Sequence, residues 1–164
     1  MVKLSPQQAA NKAREIAKQS LSGALATVRR GQGKGQGTPY VSKVNVTVDQ
    51  DGSPLFLLST LATHTQDLLA DSRASLLLEA PENSENPLQT ERTTLVGMVS
   101  QIEPGQDRRE REVFLAHHPE AQQYAVFGDF ALWRMTVCKI HYVGGFGLSK
   151  WAKAKDYLTE TEQC

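Results

Sequence analysis

Residues 131–145, ALWRMTVCKIHYVGG, are the longest alternating run in the chain. Alternation sends Leu132, Arg134, Thr136, Cys138 and Ile140 one way and Trp133, Met135, Val137, Lys139 and His141 the other. Both sides carry large apolar groups, whereas a half-buried strand needs them on one side only. A small barrel buries one face internally, so the other face must meet a helix or a second subunit. This strand therefore predicts a sheet curled on itself, with helices outside and a dimer partner.

The neighbouring segments agree. Val44, Val46 and Val48 alternate with Asn45, Thr47 and Asp49, and Asp49-Gln50-Asp51-Gly52 reads as a turn into a second strand, LFLLST (55–60). LATV (25–28), ASLLLE (74–79) and TTLVGMVSQIEP (93–104) read as further strands, with Gly97 marking a bulge or a close backbone approach. Ser5-Pro6 is a helix start, followed by Ala9, Ala13, Ile16 and Ala17 at helical spacing. THTQDLLAD (63–71), DRREREVFLAHH (107–118), AQQYAVF (121–127) and KWAKAKDYL (150–158) read as helices. The strands do not alternate with long crossover helices, so a doubly wound α/β sheet is not expected. About six strands with helical decoration predict a mainly β, closed or partly closed antiparallel barrel. The 164 residues suit one domain, 1–164.

Net charge is zero, so no dominant nucleic-acid or anionic-membrane surface is expected. The charge is uneven: residues 1–48 hold eight Lys or Arg and one acid, Glu15. That basic part suits a cofactor phosphate, a partner's acidic surface or simply a solvated face. No apolar run is long enough to span a bilayer, and the N-terminus has no signal-peptide core. Cys138 reads as a buried thiol and Cys164 as a loose terminal one, with one bridge between them as the alternative; a reducing cytoplasm is the simple reading. GQGKGQG (31–37) lacks the Lys-Ser/Thr pair of a phosphate loop and reads as a hairpin connection, and PENSENPLQTE (81–91) as an exposed acidic loop.

No metal pattern is present among His64, His117, His118 and His141, and no GxSxG elbow marks a nucleophile. STLATHT (59–65) is a strand end running into a helix start. Ser59, Thr60, Thr63 and Thr65 hydroxyls, an imidazole at His64 and free backbone N–H groups there suit an anion. Arg92 is placed to join them; the plain alternatives are a helix cap and a solvent-facing charge. GGFG (144–147) permits unusual backbone angles, with Phe146 stacking on a ligand ring or filling the core.

GALATV, GTPYVSKV, LFLLSTLATHTQDLLADSRASLLL, ERTTLVG and FGDFALWRMTVCKIHYVGGFG, in that order, resemble the pyridoxamine-5′-phosphate-oxidase-like FMN-binding split-barrel proteins, most closely their haem-utilisation branch. The resemblance spans about residues 8 to 158. It implies a six-stranded antiparallel Greek-key split barrel with peripheral helices, forming a homodimer with cofactor sites at the subunit interface. It implies FMN binding, with Val41, Ser42, Lys43 and Val44 beside the flavin, Ser59, Thr60, Thr63, His64 and Thr65 at its phosphate end, and Arg92 opening the next cofactor-side strand. His64 stands where the oxidases commonly carry a lysine. Many haem-utilisation relatives have a further C-terminal domain, and their axial histidine lies beyond the GGFG corner, where this chain has none. The leading expectation is thus an FMN-binding oxidoreductase using a small-molecule electron donor or acceptor. Haem binding or degradation is the alternative, and a non-catalytic flavin module or dimeric scaffold the third. No residue stands out as catalytic.

Overall fold

The computed structural model describes residues 3–31, 33–81 and 85–159. Strands β1 (Ser22–Val28), β2 (Pro39–Asn45), β3 (Thr47–Val48), β4 (Pro54–Ser59), β5 (Arg73–Glu79), β6 (Arg92–Gln101), β7 (Phe130–Val143) and β8 (Ser149–Lys153) form one antiparallel sheet in the order β2-β1-β5-β6-β7-β4-β3, with β8 added on β7. Helices α1 (Pro6–Gln19), α2 (Thr63–Ala70), α3 (Arg108–His117) and α4 (Ala154–Tyr157) surround it.

The two ends of that order are one stretch of chain. β2 pairs with β1, and β3 pairs with β4. Between them Val46 turns its N–H to Leu21 O at 3.0 Å and breaks the ladder. A single bent strand, 39–48, thus curls the sheet into a split barrel. Counting it once leaves the six expected strands, and β8 is an addition. Segment 150–158, expected as a helix, instead forms β8 and the single turn α4. Its side chains alternate with Ala152 buried between exposed Trp151 and Lys153, which is a strand pattern. The upper part of β7 has an edge that β4 does not reach, and β8 satisfies its backbone groups there. The expected helix at 121–127 is a short 3-10 turn at Pro119–Gln123.

Local signals hold elsewhere. Ser5 Oγ accepts the Gln8 N–H, and Gln8 returns a bond to the Ser5 N–H, closing a capping box with Pro6 in the first turn. Gly52 takes φ +96° in the Asp49–Gly52 turn, where its N–H reaches Asp49 O at 2.9 Å. The Gly-rich segment after β1 is the β1–β2 connection; Gln32 within it and residues 82–84 of the acidic loop lie outside the described residues.

Two apolar clusters hold the layers. The larger joins the alanine face of α1 to the inward side chains of the barrel, including Leu25, Phe56, Leu95, Trp133, Met135 and Tyr142. The second packs Phe114 of α3 and Ala121 against Leu55, Leu57 and Leu132 on the other side of the sheet. The outer face of lower β7 therefore meets a helix, as its composition requires.

Upper β7 departs from the simple alternation. Gly97 of β6 faces Val137, but Val96 faces Lys139, so Cys138 is the extra residue of a bulge. This bulge reverses the parity of β7. Trp133, Met135 and Val137 point inward below it; Ile140 and Tyr142 do so above it. Lys139 and His141, expected beside Trp133, are turned to the outside. Gly97 permits this: a Cβ there would lie 2.0 Å from Thr136 O. Cys138 is half-buried rather than buried, no cysteine among the described residues is free, and Cys164 lies outside them. No helix among the described residues is long and apolar enough to cross a membrane.

Candidate functional site

The outer face above the bulge gathers unsatisfied chemistry. His141 pairs across the ladder with Trp151, and the two rings stack at 4.6 Å between centroids and 22° between planes. The Lys139 ammonium sits 5.1 Å from the indole centroid. Arg92 faces Val143 from β6. Its Nη1 donates to Leu88 O and Thr90 O, each at 3.2 Å, which anchors the guanidinium at the strand end. A groove of about 390 Å³ runs beside His141, walled by Arg92, Val143, Phe146 and Leu148. Phe146 is 79% exposed on a corner where Gly145 and Gly147 take φ +104° and +74°, so it belongs to the groove and not to the core.

The four histidines divide cleanly. His118 is buried, with Nε2 against Val46 O at 2.9 Å and Nδ1 facing Glu120 at 3.4 Å, so both nitrogens are occupied where the 39–48 strand bends. His117 Nδ1 approaches Val113 O at 3.1 Å. His64 and His141 make no ring hydrogen bond among the described residues. His64 is half-buried; burial lowers its pKa below the ordinary value, and Asp67 only partly offsets this.

The residues expected to hold FMN do not converge within one chain. Ser59 pairs with Phe130 at the start of β7, and Arg92 with Val143 at its end. Those partners are thirteen residues apart, about 40 Å of strand at ~3.3 Å per residue. Arg92 thus lies far from the 59–65 segment of its own chain. The Ser59 hydroxyl donates to Asp129 Oδ2 at 2.5 Å, and the Thr60 N–H reaches Asp129 O at 2.7 Å. Both are committed, and a carboxylate stands where a phosphate was expected. Thr63 and His64 begin α2 with Ala62 at the cap position and no side-chain cap; Thr65 is buried with its Oγ1 unpartnered. On β2, Val41 and Lys43 are exposed, Val44 is buried, and the buried Ser42 Oγ has no partner among the described residues. Val41, Ser42 and Lys43 border a concavity of about 520 Å³ with Leu77 and Glu79.

Sequence reasoning missed two features. Asp67, fully buried on α2, accepts from Arg29 Nη1 at 2.9 and 3.1 Å, the Arg30 N–H at 3.0 Å and the Thr27 hydroxyl at 3.2 Å, locking α2 to the end of β1. The adjacent Arg29-Arg30 and the acid in THTQDLL were visible but not connected. Trp151 was read as a helical residue; the alternation in SKWAK was the available signal. No group of three or more His, Cys, Asp or Glu side chains able to hold a metal occurs among the described residues.

The sequence matches the family model described as CREG, beta-barrel, over residues 4–159. It is 35% identical over 132 residues to the chloroplastic non-canonical heme oxygenase HOZ of Arabidopsis thaliana, a match covering 80% of this chain and 39% of that protein. The structure of a heme binding protein from Mycobacterium smegmatis superposes with a TM-score of 0.83 at 30% identity, over 96% of this chain and 61% of that one. Campylobacter jejuni ChuZ superposes with a TM-score of 0.76 at 17% identity, over 92% of this chain and 61% of that one, a likeness of fold. The chain thus spans about two-fifths of the plant protein and three-fifths of the two bacterial ones.

Proposed function

The chain belongs to the CREG β-barrel family, and from that premise we propose that it is a haem-binding split-barrel protein, acting as a homodimer, in which His141 would hold the iron. The observation that carries this reading is the outer groove of upper β7. His141 makes no ring hydrogen bond there among the described residues, apolar Val143, Leu148 and Phe146 line the wall, and Arg92 stands at the rim. Haem needs those three things: an imidazole nitrogen, an apolar slot for the macrocycle, and cations for its carboxylates. Of the available histidines, His118 is occupied and half-buried His64 lies beside the committed Asp67 cluster. The haem-related names of two relatives at 30% identity or more support haem as the ligand and bear on no particular residue. When bound, haem supplies an iron centre that changes oxidation state; the chain's residues hold it, orient it and set its surroundings. A second copy accounts for the separation of Arg92 from the 59–65 segment, since only another chain can bring the two near each other.

A flavin reading is second, and one observation favours it. The buried hydroxyls of Ser42 and Thr65 lack partners among the described residues, and they lie on the two segments where FMN was expected. Against it stands Asp129, whose carboxylate holds the Ser59 hydroxyl and whose backbone oxygen holds the Thr60 N–H at the phosphate end.

Haemin titration tests the main reading. A saturable Soret shift at one haem per chain is expected, reduced at least about tenfold in affinity by His141→Ala and little affected by His117→Ala. Unchanged binding in folded His141→Ala overturns the assignment. Quenching of FMN fluorescence in the same preparation, with no Soret shift from haemin, favours the flavin reading instead.

A further inference from the structure

A cleft of about 690 Å³ opens between the start of α1 and the outer face of β8. That volume lies inside the roughly 300–1,000 Å³ typical of small-molecule sites. Three ammonium groups line it: Lys139 from β7, Lys153 from β8 and Lys155 from α4. None forms an ion pair among the described residues. The acid in the wall, Asp156, is turned to the backbone, where its Oδ2 accepts the Lys153 N–H at 3.2 Å. Between the lysines lies Trp151, 51% exposed, although an indole of that size is ordinarily well buried. Pro6 and Gln7 close the far side.

Each of these positions follows from the fold. The bulge at Cys138 turns Lys139 outward together with His141. The strand conformation of 149–153, in place of a helix, puts Trp151 and Lys153 on the same outer side while Ala152 points in. Unneutralised ammoniums beside a half-exposed indole select an anion on an apolar frame: its carboxylates meet the lysines, and its apolar edge meets the part of the indole that His141 leaves open. The cleft also shares a wall with the histidine groove, because His141 stacks on the same indole. Lys139 and His141 are two residues apart on one face, about 7 Å at ~3.3 Å per residue. A porphyrin carries its carboxylates on one edge at a comparable reach from its centre.

We infer that this lysine–tryptophan cleft is the seat for the carboxylate edge of a tetrapyrrole, a binding site separate in its contacts from the histidine that would meet the iron. The inference rests on the haem reading above and turns the carboxylate edge to these lysines, leaving Arg92 at the rim of the apolar groove. Specificity comes from the paired carboxylates on a planar frame and does not require the metal.

The experiment uses metal-free protoporphyrin IX, which has no iron to ligate, and its dimethyl ester, which has no carboxylate charge. Quenching of Trp151 emission is followed in a Trp133→Phe chain. Saturable quenching by the acid is expected, about tenfold weaker with the ester and about tenfold weaker in the Lys139→Gln/Lys153→Gln/Lys155→Gln variant. Those lysines are exposed and outside any ion pair among the described residues, so the variant keeps the parent melting temperature, which serves as the folding control. Equal affinity for acid and ester, or binding by the triple variant within about twofold of its parent, overturns the inference. Haemin run in parallel separates the two proposals. Haemin binding through His141 with no lysine-dependent binding of the metal-free acid removes the cleft and leaves the haem reading. Lysine-dependent binding of the acid, with haemin indifferent to His141→Ala, removes the His141 assignment and leaves the cleft.

Discussion

Gly97→Ala tests the feature on which the outer site depends. The added Cβ would lie 2.0 Å from Thr136 O, 2.9 Å from Thr136 C and 3.1 Å from Val137 Cα. All three are backbone atoms of the facing strand, so no side chain can rotate away. Relief requires parting β6 from β7 by about an ångström at the bulge, with at least one ladder hydrogen bond lost. Overpacking of a filled interior costs about 1–3 kcal/mol, and a lost bond about 1 more, so the expected destabilisation is about 2–4 kcal/mol. At this chain length that corresponds to a melting temperature lower by roughly 4–16 °C. Urea unfolding followed by circular dichroism gives the free energy, with Gly128→Ala as the control. A methyl added at Gly128 would meet nothing within 4 Å, and its φ is not positive, so the control should range from neutral to about 1 kcal/mol more stable. The Gly97→Ala substitution should also weaken haemin binding in the folded fraction, because the bulge is what turns His141 outward. A Gly97→Ala protein within about 0.5 kcal/mol of its parent would refute both the close approach and the parity argument.

Asp49 is buried between Arg109, with Nη2 at 2.7 Å, and Arg134. Burial alone would raise its pKa, but the Arg109 hydrogen bond, the Gln50 N–H and the two guanidinium charges together hold it below the ordinary value. Its stabilisation is therefore complete above the unfolded value near 3.8 and is lost as pH falls through the lower folded value. Asp49→Asn should cost about 2–3 kcal/mol near neutrality, discounted for half-exposed Arg109, and should flatten the acid limb of a urea stability profile below pH ~4. Asp67→Ala strands Arg29 and the Arg30 N–H and should cost about 3–5 kcal/mol by chemical unfolding. His64, lowered by burial, should titrate in an NMR experiment below its ordinary 6.5. Because the unfolded chain takes up that proton first, stability falls as pH drops below about 6.5, and His64→Gln should reduce that slope.

Local chemistry made a large part of this molecule legible. Ser5-Pro6 caps α1 because a hydroxyl acceptor and a fixed φ act within one turn. Asp49–Gly52 turns because glycine accepts φ +96°. Gly97 could be read as a bulge because a missing side chain within a strand has few other uses. The bulk apolar alternation was enough to predict a curled antiparallel barrel with helices outside. What each strand faces was not local. The helix expected at 150–158 became β8 because the upper edge of β7, which β4 does not reach, is there to be paired. The extra residue at Cys138 changes parity only relative to β6, so the outward turn of Lys139 and His141 exists only once the two strands are paired. The Asp67 cluster joins positions 27–30 to 67, and the distance between Arg92 and the 59–65 segment is set by the register of β7 with β4 and β6. Residue types and turns are properties of a few consecutive positions. Register, bulge and the meeting of distant charges are properties of pairs of strands, and only tertiary structure decides them.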